Sequence, residues 1–187
     1  DVPDALVLSG TGWQPPALCG FGLMAAEMVC ALGGARRASR FLDKLAFSAN
    51  NKPFRPARTP FDWLSRDEAE VDKYAADPLC GFVFTGGGFR DMFRGLAALT
   101  RLERLAALPG ELPVLLISGE RDPVGAQGRG VRIVAGQYRK AGLSRVDLRL
   151  YEGARYELFN ETNREDVTLE LIRWFDVVLA RRKENPQ

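Results

Sequence analysis

Histidine is missing from all 187 residues of the chain. That removes the commonest general base and the commonest metal ligand. Cysteine is scarce and odd in number: Cys19, Cys30 and Cys80. This is no disulfide framework and fits a reducing, cytoplasmic setting. Neither charge dominates, with 26 Lys+Arg against 24 Asp+Glu, so no strong field draws in nucleic acid. No apolar run reaches the roughly 18 residues a membrane helix needs, and no transmembrane segment is expected. The sequence opens at Asp1-Val-Pro-Asp4 without an initiator Met or a signal-peptide pattern, which reads as a trimmed or partial chain.

What is present is an ordinary globular balance, 46% hydrophobic and 27% charged, at a length that suits one domain with a real core. Ala5 to Ser9 is a short apolar run ended by Gly10-Thr-Gly12, a buried parallel-type strand with a loop at its carboxyl end. Pro15 and Pro16 suit a first helical turn. Leu18, Phe21, Ala25, Met28 and Leu32 then recur at helical spacing, and Gly33-Gly34 can end that helix. Met24 and Met28 suit a greasy ligand surface, but a packed apolar stripe is the preferred reading.

Residues 36–64 read as irregular, broken by Pro53, Pro56 and Pro60, with Arg36, Arg37 and Arg40 as a solvated face. Ser65-Arg-Asp-Glu68 reads as a capping box opening a helix to about Tyr74. Gly86-Gly-Gly88 starts another helix carrying Met92, Phe93, Leu96 and Leu99. The triplet lacks the residues of a phosphate-binding motif.

Leu112 to Ser118 is the clearest buried strand, cut off by Gly119-Glu-Arg-Asp122-Pro123. A helix with Val131, Val134, Tyr138 and Ala141 on one face follows. Val146 to Tyr151 is a third strand with a loop at 152–157. Asn163-Arg-Glu-Asp166 caps a last helix striped by Val167, Leu171, Trp174 and Val178. The tail from Arg181 is polar and expected to fray. Strands alternating with helices predict an α/β fold of about three parallel strands with flanking helices. In such sheets chemistry gathers beyond the strand carboxyl ends. The loops after residues 9, 118 and 151 should therefore meet on one rim, covered by a mostly helical insertion.

Leu112-Pro-Val-Leu-Leu-Ile-Ser-Gly-Glu-Arg-Asp-Pro-Val-Gly125, Tyr138-Arg-Lys-Ala-Gly142 and Leu150-Tyr-Glu-Gly-Ala-Arg-Tyr-Glu157 with Asn160-Glu161 carry a specific pattern. It closely resembles the carboxyl-terminal part of α/β-hydrolases of the monoacylglycerol lipase, lysophospholipase and serine aminopeptidase type. Leu6 to Gly12 resembles the strand after the nucleophile elbow. Phe61 to Asp67 and Asp77 to Phe82 resemble segments of that subgroup's helical cap. The resemblance implies a partial α/β-hydrolase fold in which 1–12 and 109–187 are core and 13–108 is the cap or lid. It implies no cofactor and no metal.

By itself Asp122 reads as a turn residue before Pro123. The resemblance implies that it stands at the triad acid position. The triad histidine position then falls on Tyr156, a substitution by a phenol of pKa about 10 that is a poor proton shuttle. Tyr156 could instead donate a hydrogen bond to Asp122. The serines are Ser9, Ser39, Ser48, Ser65, Ser118 and Ser144, and none sits in a Gly-x-Ser-x-Gly frame. The expected function is therefore that of a lipase- or esterase-like family chain, inactive by itself. The alternatives are a non-catalytic module for an apolar acyl-ester or lipid-like molecule, with Trp13, Phe21, Met24 and Phe84 as pocket wall, or a partial chain needing further amino-terminal strands beside residues 5–9. The oligomeric state is not legible in the sequence.

Overall fold

Three strands with alternating apolar faces organise the chain: β1 (Leu6–Ser9), β2 (Val114–Gly119) and β3 (Val146–Tyr151). They form one parallel sheet in the order β1-β2-β3, with Leu6 opposite Val114 and Val114 opposite Val146. The computed structural model describes residues 3–99 and 102–184. The first two residues of the expected core segment and residues 185–187 of the expected tail lie outside the described residues, as do 100–101.

Side chains alternate across a strand, so β2 serves two cores. Val114 and Leu116 face α6 (Arg129–Lys140), where Val131, Ala135 and Tyr138 meet them as the 3.6-residue spacing predicts. Leu115 and Ile117 face α7 (Arg164–Glu184), against Val167, Trp174 and Val178. Every residue of β2 is buried, whereas β1 is half-buried and lies at the sheet edge. Helix α7 continues past Arg181, where fraying was expected.

The crossover from β1 to β2 carries α1 (Pro16–Val29, extended by a π-helical turn Cys30–Gly34), α2 (Arg40–Phe47), α3 (Glu68–Ala76), α4 (Gly86–Leu99) and α5 (Leu102–Leu105). It has its own core of Ala25, Ala26, Leu42, Phe89 and Phe93. Four expectations are corrected here. First, the face α1 buries is the small-residue face, Cys19, Gly22, Ala25 and Ala26, against α4. Gly22 lies so close to Phe93 that a Cβ would come within 2.6 Å of the ring. Of the expected stripe only Ala25 is buried; Leu18, Phe21, Met28 and Leu32 face outward. Second, 36–64 is not irregular throughout: Ser39 accepts the Leu42 N–H and caps α2.

Third, Ser65 does not cap α3. Its hydroxyl donates to the Asn160 carbonyl at 2.7 Å and accepts the Asp67 N–H at 2.9 Å, and Asp67 takes the cap by accepting the Ala69 N–H. Fourth, against the expectation that no apolar run reaches such a length, Pro16–Gly34 is a 19-residue helix long and apolar enough to cross a membrane by length and composition alone, with 22% of its 18-residue apolar window buried in this fold. Its glycines and the single charge of Glu27 break the apolar run when read along the sequence. Glu27 is paired with Arg94 at 2.9 Å in the fold.

Candidate active site

The three loops beyond the strand ends are in contact. Gly119 closes β2 beneath the loop after β3, where a Cβ would collide with the Ala154 and Arg155 carbonyls. The Glu120 and Arg121 N–H groups donate to the Tyr151 and Ala154 carbonyls at 3.0 and 2.9 Å, sewing the two loops together. From the β1 side, a Cβ on Gly12 would run into the Val124 carbonyl. Gly10, at φ 64°, leaves room for the Tyr156 ring, which lies 3.0 Å from where its Cβ would be.

Asp122 sits at this junction, fully buried. Its Oδ2 accepts the Ser118 hydroxyl at 2.9 Å and its Oδ1 accepts the Val124 N–H at 2.8 Å. Burial pushes the carboxyl above its ordinary range, against the pull of the Gly125 N–H, the Ser118 hydroxyl and the Val124 N–H. A Cβ on Gly125 would meet Val131 Cγ2 at 2.8 Å and press on Asp122 Oδ2 and Ser118 Oγ at 3.1 and 3.2 Å, so glycine leaves the carboxylate its room.

Tyr156 is half-buried between the end of β1 and the crossover, where Trp63 packs on its ring at 5.2 Å between centroids. Burial, then the Asp122 charge, pushes the phenol up. Such a group is a neutral hydrogen-bond donor at physiological pH and no base. The expected hydrogen bond from Tyr156 to Asp122 is not among those formed: the carboxylate is engaged by Ser118 and its own loop. The Asp122 charge acts on the phenol without a direct bond between the two.

Behind Tyr156 lies a network to which the sequence reading gave no role. Glu161 is fully buried and accepts the Arg155 N–H at 2.8 Å, the Arg66 N–H at 3.1 Å and Arg66 Nε at 2.7 Å. Arg155 reaches the Ser65 carbonyl at 2.8 Å and the Asp62 carbonyl, and it stacks 4.3 Å from the Phe54 centroid. Only its Nε is buried without a partner. A single Glu after a loop Asn has no periodic signature, so nothing along the chain marks it as the post to which the crossover is tied.

The expected pocket wall does not assemble as one lining. Phe21 and Met24 lie on the outward face of α1, and Phe84 stacks on Phe82 and Phe89. Among the described residues, no group of three or more Cys, Asp or Glu side chains is placed to hold a metal ion.

The chain is matched over residues 2–163 by the family model described as serine aminopeptidase, S33 (Hydrolase_4). No curated protein sequence matches it. Among solved structures it is similar to a lipase in an open form, at 28% identity and TM-score 0.77. A thermostable carboxyl esterase from Bacillus coagulans in complex with glycerol gives 23% identity and TM-score 0.84. A soluble variant of monoglyceride lipase from Saccharomyces cerevisiae, in complex with a substrate analog, gives 17% and 0.66. Each similarity covers 94% of this chain, but the chain spans only 57% of the first two structures and 56% of the third.

Proposed function

The chain belongs to the serine aminopeptidase S33 family of α/β-hydrolases, and from this premise we propose that it is the acid-and-cap portion of a lipase- or esterase-like site for an apolar acyl ester. In this reading Asp122 stands at the triad acid position and Tyr156 at the histidine position. Residues 13–108 act as the cap, while 1–12 and 109–187 are core. What supports it is that the loop carrying Asp122 is bonded to the loop carrying Tyr156, through the Glu120 and Arg121 N–H groups on the Tyr151 and Ala154 carbonyls, while the Tyr156 ring lies against Gly10 at the end of β1. A carboxylate there orients an imidazole and stabilises the imidazolium during acyl transfer. The phenol of Tyr156, pushed further up by burial and by Asp122, takes no proton from a serine at neutral pH. With no Gly-x-Ser-x-Gly serine in the chain, we read this polypeptide as inactive by itself. Three free cysteines suit a reducing compartment, and we place the chain in the cytoplasm.

The test is turnover of a short-chain nitrophenyl ester. The purified chain and its Tyr156→His variant should both stay at background. In a longer form carrying a Gly-x-Ser-x-Gly segment upstream, turnover should appear with Tyr156→His and not with Tyr156. Saturable hydrolysis by the chain as it stands, or equal turnover with Tyr156 in the longer form, would overturn the reading.

A second reading, that the sheet is completed by further strands, is favoured by one edge. Leu6 N and Gly10 N donate into β2, which turns the Val7 and Ser9 N–H groups outward from the sheet. Nearby, α7 leaves Leu169, Ile172, Phe175, Val177 and Leu179 exposed. If further strands complete that edge, the Val7 and Ser9 N–H groups exchange fast with deuterium in this chain and become protected in a longer form that carries those strands. Exchange as fast in the longer form would remove this reading.

A further inference from the structure

The row of side chains that β2 turns toward α6 is Val114, Leu116 and Ser118, since alternate residues of a strand share a face. Val114 and Leu116 are core. At Ser118, fully buried, a hydroxyl stands where the row calls for another aliphatic side chain. A hydroxyl removed from water is tolerated where it finds a partner. The partner of Ser118 is Asp122 Oδ2, at 2.9 Å. The Gly119 carbonyl lies farther, at 3.3 Å, and already accepts the Asp122 N–H at 3.2 Å. A hydroxyl has one proton to give, and the nearer, charged acceptor takes it.

The donors that act on this carboxylate are unlike. The Val124 and Gly125 N–H groups belong to the loop of Asp122 itself and move with it. Ser118 belongs to the central strand, opposite Leu150 of β3, and its hydroxyl refers the carboxylate to the buried middle of the sheet. The surroundings add no cation. From the loop after β3, Tyr156 feels the Asp122 charge, and Glu157 acts on the same phenol. Arg121, next to the acid in sequence, lies over the Phe54 ring at 5.5 Å. Loop β1 approaches with Gly12 against the Val124 carbonyl, and α6 with Val131. Asp122 enters none of the ion pairs formed by the described residues.

We propose that Ser118 is a positioning residue for the acid of this site: its hydroxyl ties Asp122 to β2 and holds the buried carboxylate in its ionised form. The purpose rests on the reading of Asp122 as triad acid, whereas the bond and its effect on Asp122 stand without it. The ionised form is the one that stabilises an imidazolium, and burial favours the neutral one. A neutral donor from the strand opposes burial without bringing a positive charge, which would cancel the field that an imidazole at position 156 has to feel.

The experiment is an isotope-edited NMR titration of the Asp122 carboxyl in the full chain, assigned by its loss in Asp122→Asn. Ser118→Ala should raise that pKa by about one to two units. Ser118→Cys fills nearly the same space with a weaker donor, and should raise it by less. Circular dichroism verifies folding, and if alanine does not fold, cysteine carries the test. A packing role alone predicts a changed melting temperature with the carboxyl titrating where it did in the parent, and that result would overturn the proposal. The Tyr156→His chain separates this from the catalytic reading. If its imidazole ignores Asp122→Asn while Ser118→Ala still raises the carboxyl, the assignment of position 156 fails and the hold of Ser118 on Asp122 stands. The reverse pair of results removes the role of Ser118 alone.

Discussion

The crossover between β1 and β2 is held to the molecule in two unlike ways. Residues 58–67 are sewn to the loop that carries Tyr156: Glu161 binds Arg66 and Arg155, Ser65 binds the Asn160 carbonyl, and Arg164 pairs with Asp67 at 2.9 Å. Helix α1 instead rests on α4 through small residues, with Leu23 and Val29 packed beside them, and turns Leu18, Phe21, Met24 and Met28 outward. One region is fixed by directed polar bonds whose geometry the rim depends on. The other is fixed by close apolar contact on one side and left open on the other. Polar stitching sets the position of Tyr156, and the apolar contact sets which face α1 can offer a partner.

Breaking the stitched side should have the largest effect. Glu161→Ala removes the acceptor of four N–H bonds from a fully buried site. Arg66 is 32% exposed and can recover some water. We therefore expect a loss near the lower end of the range for such pairs, about 3 kcal/mol in urea unfolding. Gly22→Val probes the apolar contact. Phe93 must shift to admit the new side chain, and about 1–3 kcal/mol is lost, with a change in near-ultraviolet dichroism. If Gly22→Val cost nothing while Glu161→Ala unfolded the chain, α1 would not be seated on α4 at all.

Asp122→Asn should move stability the other way. Burial raises the carboxyl, so the folded chain holds this proton more tightly than the unfolded chain does. The contribution of Asp122 is then most favourable below the ordinary carboxylate value of about 4, and it falls as pH rises toward the elevated folded value. Asn removes that pH dependence, so the stability of the variant relative to the parent should rise from pH 4 to pH 7 in thermal unfolding. A stability gain on removing the acid is what a group kept for chemistry predicts. The smallest effect belongs to the outward face: Phe21→Ser and Met28→Ser should each stay within about 0.5 kcal/mol. A loss several times larger would mean that the face is covered.

The three strands, the faces of α6 and α7 and the meeting of the rim loops were legible because each rests on a local period or on a strand end followed by glycine. The burial of α1 was not legible. Apolar residues lie on both of its sides, and spacing does not say whether small or large ones face the core. Helix α2 was hidden because the neighbouring prolines outweighed the capping signal of Ser39. Ser65 was misread because its hydroxyl serves Asn160, a contact 95 residues away. The surrounding motif singled out Asp122 and Tyr156 as candidates, whereas Glu161, which is bonded into the loop of Tyr156, acts through contacts that no local pattern encodes.

The absence of histidine makes one measurement unusually clean. Tyr156→His creates the sole imidazole in the chain, and NMR titration reads its pKa without assignment. If Asp122 faces position 156 as acid to imidazole, that pKa falls by about one unit when Asp122→Asn is added. An imidazole titrating at the same pH beside Asp and beside Asn would contradict the assignment of both residues.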